Sequence, residues 1–271
     1  MDRPADGSDD ALVRARLHRR IQAVEAGLNG RLAVVVQGVA DDAPAVTLHE
    51  DAVYSSASII KLPILWSFFE QVDASQLDPA ERWQLADDSR VDGSGVLKLL
   101  QHGADLTLLD LAALMIAVSD NSATNVLIDR LGLAAIQQSI ARLGLTGTGL
   151  GRKMYDFEAR ARGLENVATA RDIARLLLRF YRGDGLSAAS AAEARRILGG
   201  QQLNAGLPAR LPYDAVWHKT GNLPGLLHDA GWIERDGRAA VVVAFTDQLA
   251  NDGDGAQALA AIGEAVWSWL A

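Results

Sequence analysis

Hydrophobic residues early in the chain recur at Leu12, Leu17, Ile21, Val24 and Leu28, at spacings of five, four, three and four that trace one face of a helix. Ser8 is placed to cap that helix, Asp9 and Asp10 suit its first turn, and Gly30 lies near its end. Leu32 to Val36 is a continuous apolar run. After a turn rich in Asp41, Asp42 and Pro44, Val46-Thr47-Leu48 completes what reads as a hairpin. The pattern then becomes helical: around Ile64 to Val72, from Thr107, after Asn121, after Thr169 and after Ser187. Thr107-x-x-Asp110 and Thr169-x-x-Asp172 read as capping boxes with Asp in place of Glu. Strand character returns at Val216 to Thr220, Asp229 to Ile233 and Ala239 to Phe245, with a turn at Asp236-Gly237, and Ala256 to Leu270 closes as a helix.

This order predicts an α/β (α+β) two-lobe unit spanning 1–271. An antiparallel sheet flanked by N- and C-terminal helices takes residues 1–54 and 205–271, and an inserted all-helical lobe takes 55–204. A cleft between the lobes is the expected site.

With 49% hydrophobic residues, the chain can bury a large core. Its 26 Lys and Arg are scattered among 34 Asp and Glu, for a net charge of −8, which argues against nucleic acid as a partner. The chain has no cysteine, which excludes thiol catalysis and Cys-ligated zinc. His18, His49, His102, His218 and His228 lack metal-ligand spacing, so neither a metal nor another cofactor is expected, although His218 is placed to line the cleft beside Lys219. No run reaches membrane-spanning length, and the first ten residues lack the apolar stretch of a secretory leader. The expected location is periplasmic or secreted if a leader was removed, and cytoplasmic otherwise.

Three short elements occur in order: Ser58-Ile59-Ile60-Lys61, Ser119-Asp120-Asn121 and Lys219-Thr220-Gly221. A Ser-x-x-Lys arises by chance roughly once in a chain this long, and each fixed tripeptide in about one chain in thirty, so the ordered set is expected in roughly one chain in a thousand. Taken singly they read as a helix cap, a polar loop and a strand end. Residues three apart share a helix face, so the Lys61 amine is placed to take the Ser58 proton if burial or a neighbouring cation such as Lys219 lowers its pKa.

The set, with separations of 61 positions from Ser58 to Ser119 and 100 from Ser119 to Lys219, resembles the serine β-lactamases and penicillin-binding proteins, and most closely the class A β-lactamase-like serine hydrolases. The resemblance covers nearly the whole chain, including Gly93-Ser94-Gly95-Val96-Leu97. It implies Ser58 as nucleophile, Lys61 beside it, and Ser119 as proton shuttle to the leaving nitrogen. Asn121 would bind the substrate's acyl amide, and the backbone N–H groups of Ser58 and Asn222 would form the oxyanion hole. Lys219 and Thr220 would receive the substrate carboxylate, Gly221 would leave room for substrate backbone, and Asp120 would brace its loop. The implied partner is a small molecule, either a β-lactam or a D-Ala-D-Ala-like peptide.

Class A enzymes also carry a deacylating glutamate in a Glu-x-x-x-Asn pattern, which is missing here. Glu158, preceded by the aromatic Phe157, is the candidate for that role. Glu165, close to the next helix, is its competitor and is also placed to pair with Arg160, Arg162 or Arg171. Three functions stay open: a β-lactamase; a D-alanyl-D-alanine peptidase or an esterase or amidase that deacylates β-lactams slowly; and a non-catalytic ligand-binding module. Gly147-x-Gly149-x-Gly151 reads as a flexible approach to the glutamate loop.

Overall fold

Residues 32–36 are apolar without alternation because both faces of their strand are covered. Leu32, Val34 and Val36 enter one buried cluster and Ala33 and Val35 enter another. The computed structural model describes residues 7–271, with side chains from residue 11 onward. In chain order the elements are α1 (Gly7–Gly27), β1 (Arg31–Gly38), β2 (Val46–Leu48), β3 (Tyr54–Ser55), α2 (Lys61–Asp73), β4 (Arg82–Gln84), β5 (Asp105–Thr107), α3 (Leu108–Ala117), α4 (Asn121–Leu131) and α5 (Leu133–Arg142). They continue as α6 (Phe157–Ala161), β6 (Val167–Ala168), α7 (Ala170–Arg182), α8 (Ala188–Gly199), β7 (Val216–Leu223), β8 (Leu226–Arg235), β9 (Arg238–Asp247) and α9 (Asp252–Trp269).

The main sheet runs β2-β1-β9-β8-β7 and is antiparallel throughout, so the N-terminal hairpin joins the C-terminal strands, with Arg31 opposite Asp247. Leu17 and Ile21 of α1 and Leu259, Ile262 and Val266 of α9 cover one face. Leu12, predicted on the same helix face, is 65% exposed, because the buried stripe of α1 begins a turn later, at Leu17. The cap expected from Ser8 lies outside the described side chains.

The other face of the sheet carries Val241, Val243, Phe245 and Trp232 into a core shared with the helical lobe. At the centre of that lobe is α2, where Leu62, Ile64, Leu65, Trp66, Phe68 and Phe69 are all buried. A helix apolar on every side belongs inside a bundle. The box at Thr107 forms fully: Asp110 N–H donates to Thr107 Oγ1 at 3.0 Å, and Thr107 N–H donates to Asp110 Oδ2 at 2.8 Å. At Thr169 only the forward bond forms. Asp172 Oδ2 instead accepts from Gly147 N–H at 2.7 Å and Thr148 Oγ1 at 3.1 Å. Among the described residues no helix is long and apolar enough to cross a membrane.

A buried histidine ties the sheet to the approach of the site. His228 on β8 donates from Nε2 to the carbonyl of Ser55 at 2.9 Å and accepts at Nδ1 from Thr246 N–H at 3.2 Å, which fixes the neutral tautomer. Burial pushes its pKa down to about 4. The unfolded chain takes up this proton near 6.5, so the contribution to stability is full above that pH and is lost as pH falls towards 4. Thermal melts are expected to show a loss of up to about 3 kcal/mol over this interval from His228 alone. A His228→Gln variant should have a flatter profile there, and an unchanged slope would refute the assignment.

Candidate active site

The chain enters the site through β3, whose pairing with β6 and the bond from Ser56 N–H to the carbonyl of Asn166 at 2.9 Å hold the strand end in place. A 3-10 turn, Ala57–Ile60, follows and leads directly into α2. Pro63 is therefore the third residue of α2, where the backbone N–H has no intrahelical acceptor and its absence costs little. Ala57 takes φ = 44° and Ser119 φ = 54°, left-handed values that a side chain resists, and both flank the reactive centre. Ser58 is half-buried and lines a cleft of about 510 Å³ between the lobes.

Lys61 is completely buried. Its Nζ donates to the carbonyl of Ser119 at 2.7 Å, to Ser119 Oγ at 3.0 Å and to Asn121 Oδ1 at 2.9 Å. The amine thus lies against the second motif, while the Ser58 hydroxyl makes no hydrogen bond within the described residues. Lys219, also fully buried, donates to the same Ser119 Oγ at 3.1 Å and to the carbonyl of Thr220 at 2.8 Å. One hydroxyl therefore bridges the two lysine amines. Burial, and then repulsion from Lys219, hold Lys61 well below its ordinary pKa, with Asp120 opposing. Burial brings Lys219 down to about 7 against the pull of Asp229. The favoured state has Lys61 neutral, as a base requires, its two N–H bonds given to the Ser119 carbonyl and Asn121 Oδ1 and its lone pair facing the Ser119 hydroxyl, with Lys219 carrying the charge.

Asp120 is the keystone of the second motif. Oδ1 accepts from Ala123 N–H at 2.9 Å as the cap of α4, and Oδ2 accepts from Val96 and Leu97 N–H at 2.6 and 2.8 Å. A Cβ on Gly95, at φ = 114°, would lie 2.3 Å from the Asp120 carboxylate, so only glycine lets that loop approach. Asn121 is fixed on both sides, since its Nδ2 donates to the carbonyl of Asp92 at 2.9 Å and its Oδ1 accepts from Lys61.

β7 is an outer strand of the sheet. Asn222 lines the cleft across from Ser58, whereas Lys219 lies beneath the floor and Thr220 is half-buried. The room left by Gly221 is filled by the nucleophile's own turn: a Cβ there would meet Ile59 Cγ1 at 3.2 Å and Ala57 Cβ at 3.3 Å. A side chain there would press on the turn that carries Ser58. His218 does not line the cleft. It is buried, with Nδ1 against Asp229 Oδ1 at 2.7 Å and Nε2 against Asn204 Oδ1 at 3.0 Å, behind the strand that carries Lys219.

The loop between α5 and β6 forms the remaining wall. Asn166 pins it, accepting at Oδ1 from the N–H groups of Gly151 and Arg152 at 2.9 and 3.0 Å. Gly151 is close-packed, since a Cβ would lie 2.5 Å from the carbonyl oxygen of Glu165, so this stretch is not the flexible approach expected. Glu158 is exposed on α6 and is not part of the cleft lining. Glu165 pairs with Arg160 at 3.0 Å, as anticipated, and also with Arg152 at 3.2 Å. On this wall the lining residues that sequence reasoning missed are Arg152, Met154, Tyr155, Phe157, Arg160 and Asn166. No short motif marks them; only the Leu164-Glu165-Asn166 sequence hinted at Asn166. Among the described residues no group of three His, Cys, Asp or Glu side chains is arranged to hold a metal ion.

Comparison with solved structures gives the same architecture. A β-lactamase from Sphaerobacter thermophilus DSM 20745 is 31% identical, with 93% of this chain and 95% of that one aligned at a TM-score of 0.84. PBP-A is 29% identical over 93% of this chain and 94% of its own, at a TM-score of 0.83. A β-lactamase from Xanthomonas campestris pv. campestris str. ATCC 33913, 22% identical and aligned over 96% and 99% of the two chains, shares the fold at a TM-score of 0.87. Residues 16–270 match the family described as the Beta-lactamase enzyme family, and the chain belongs to that family of serine β-lactamase and penicillin-binding folds.

Proposed function

We infer that the chain is a penicillin-recognising serine peptidase. It forms an acyl-enzyme on Ser58 with D-alanyl-D-alanine-type substrates, is acylated by β-lactams, and releases the β-lactam acyl group slowly. The observation that carries this reading is the lining of the cleft: among the described residues it holds Ser58, Asn121, Asn166 and Asn222 but no carboxylate. Glu158 points to no partner in the site, Glu165 is engaged by two arginines, and the position four before the loop-pinning Asn166, where the family pattern has glutamate, is Arg162. A base that aligns water on an acyl-enzyme must lie within hydrogen-bond reach of that water.

In the reaction, neutral Lys61 takes the Ser58 proton as Oγ attacks the carbonyl carbon. The tetrahedral oxyanion is received by the N–H groups of Ser58 and Asn222. Ser119, in contact with both lysine amines, passes a proton to the departing nitrogen as the C–N bond breaks. Thr220 meets the substrate carboxylate, with the Lys219 charge acting on it from beneath the cleft floor, and Asn121 binds the acyl amide. A variant of PBP-A, 29% identical to this chain and aligned over 94% of it at a TM-score of 0.84, has been solved as an acyl-enzyme complex with penicillin-G. That precedent supports acylation at the matching site. The second reading, efficient β-lactam hydrolysis, draws on the 31% identical β-lactamase.

Mass spectrometry after exposure to benzylpenicillin decides among the readings. We expect a penicilloyl adduct on Ser58 that persists for minutes or longer, absent in Ser58→Ala. Rapid return of unmodified protein, with steady turnover, would favour the β-lactamase, and no adduct at all would favour a non-catalytic module. Glu158→Gln is expected to leave the adduct lifetime within about twofold, since an exposed carboxylate outside the cleft activates no water at Ser58. A lifetime lengthened tenfold or more would instead restore Glu158 as the base.

A further inference from the structure

The wall of the cleft formed by the loop between α5 and β6 has a charge pattern that the acylation chemistry does not use. Arg152 and Arg160 are the charged side chains in the lining. Glu165 stands between them, giving one carboxylate oxygen to Arg152 Nη2 at 3.2 Å and the other to Arg160 Nε at 3.0 Å. One negative charge is thus divided between two positive ones, and neither arginine gains the paired, fork-like contact that neutralises a guanidinium best. The Arg160 side chain is 59% exposed and has Glu165 as its one ion-pair partner among the described residues. Arg152 is mostly buried, with its Nε atom enclosed and unbonded.

Of the neighbouring charges, Glu158 and Arg162 are exposed and of opposite sign, and the others are engaged elsewhere. Lys153 pairs with Asp129, and Asp156 accepts the Ala159 N–H at 2.8 Å as the cap of α6. Beside the arginines, Tyr155 and Phe157 meet edge to face at 5.4 Å between ring centres, yet stay 43% and 62% exposed. Tyr155 is held in the left-handed region, φ = 61°, and its ring lies against Gly93, where a Cβ would approach to 2.6 Å. An aromatic shelf fixed in a strained conformation beside a surplus positive charge fits a group with an apolar body and an anionic end.

We propose that this wall is an acyl-side subsite for a carboxylate, so that the preferred acyl donors, peptide or β-lactam, carry a negative charge on an apolar or aromatic acyl substituent. The proposal rests on Ser58 acylation as described above. A matched set of probes with the same phenylacetyl body tests it: benzylpenicillin, its α-carboxy analogue carbenicillin and its α-amino analogue ampicillin. Second-order rate constants for adduct formation on Ser58 are expected to fall in the order carboxy, unsubstituted, amino, with about tenfold between the extremes, and to converge as salt is raised. Arg160→Gln should narrow the spread. Glu165→Gln, which leaves both arginines unopposed, should widen it, and this opposite response guards against a variant that merely disturbs the loop.

Acylation by all three probes with no charge order, or a reversed one, would overturn the subsite and leave the acylating function intact. An order untouched by both substitutions would overturn its assignment to these residues. Absence of any adduct would remove the underlying function and the subsite with it.

Discussion

Replacing Lys61 with methionine is expected to slow acylation of Ser58 by about a thousandfold or more, the range over which a positioned base contributes. Methionine keeps most of the length and volume of this fully buried side chain, so the lost rate reports the amine itself. The same mechanism predicts a pH profile. For a carboxylate-bearing substrate, acylation by the free enzyme should rise as Lys61 loses its proton, well below the ordinary lysine range, and fall as Lys219 loses its own near 7. Lys219→Gln should abolish the second limb. It should also move the first upward, because removing the neighbouring cation restores basicity to Lys61. Stopped-flow acylation across pH 4 to 10, scored by mass spectrometry, provides the test. A Lys61→Met enzyme acylating within tenfold of the parent would contradict the role.

The second large effect concerns stability. Asp120→Ala leaves the N–H groups of Val96, Leu97 and Ala123 without the acceptor that now satisfies all three at a site 1% exposed. With roughly 1 to 3 kcal/mol for each buried donor left unmet, and some rescue by relaxation, the expected loss is about 4 kcal/mol. In a chain of this size that is a fall in Tm of roughly 10 °C. Asp120→Asn should be nearly as damaging, since its amide nitrogen accepts nothing and one side of the network must fail. A melting temperature within about 2 °C of the parent for the asparagine variant would show that the loop needs neither the charge nor the second acceptor oxygen. Hydrogen exchange at Val96 and Leu97 would locate the opening.

Much of this was legible in the sequence because the relevant signals are local. The apolar run at 32–36, the caps at Thr107 and Thr169 and the turn at Asp236-Gly237 each fix an element within a few residues. Motif order then places Ser58, Ser119 and Lys219 together. What stayed hidden depends on contacts between distant residues. A three-residue spacing suggested that Lys61 would face Ser58, yet the nearest acceptors to its amine lie 58 and 60 residues away. Nothing local shows that Gly221 packs against Ile59 and Ala57 of the turn that carries Ser58. His218 was read as a cleft residue from its neighbour alone, when strand alternation sends it to the opposite side, towards Asp229. The glutamate had no local mark either: Asn166, whose side chain accepts from the N–H groups of Gly151 and Arg152, pins the loop with Arg162 four residues before it.

The pairing of β1 with β9 has a consequence in time. Arg31 cannot meet Asp247 until more than two hundred further residues have been made, so the N-terminal hairpin must wait, one apolar face uncovered, while the helical segment emerges and folds through nearby contacts. The turn bearing Ser58 rests against β7, and β7 is held in place by β8 and β9. A nascent chain is therefore expected to acquire its reactive serine geometry only at the close of synthesis, and chains truncated before Asp247 should fail to react with penicillin even though the residues of all three motifs are already present.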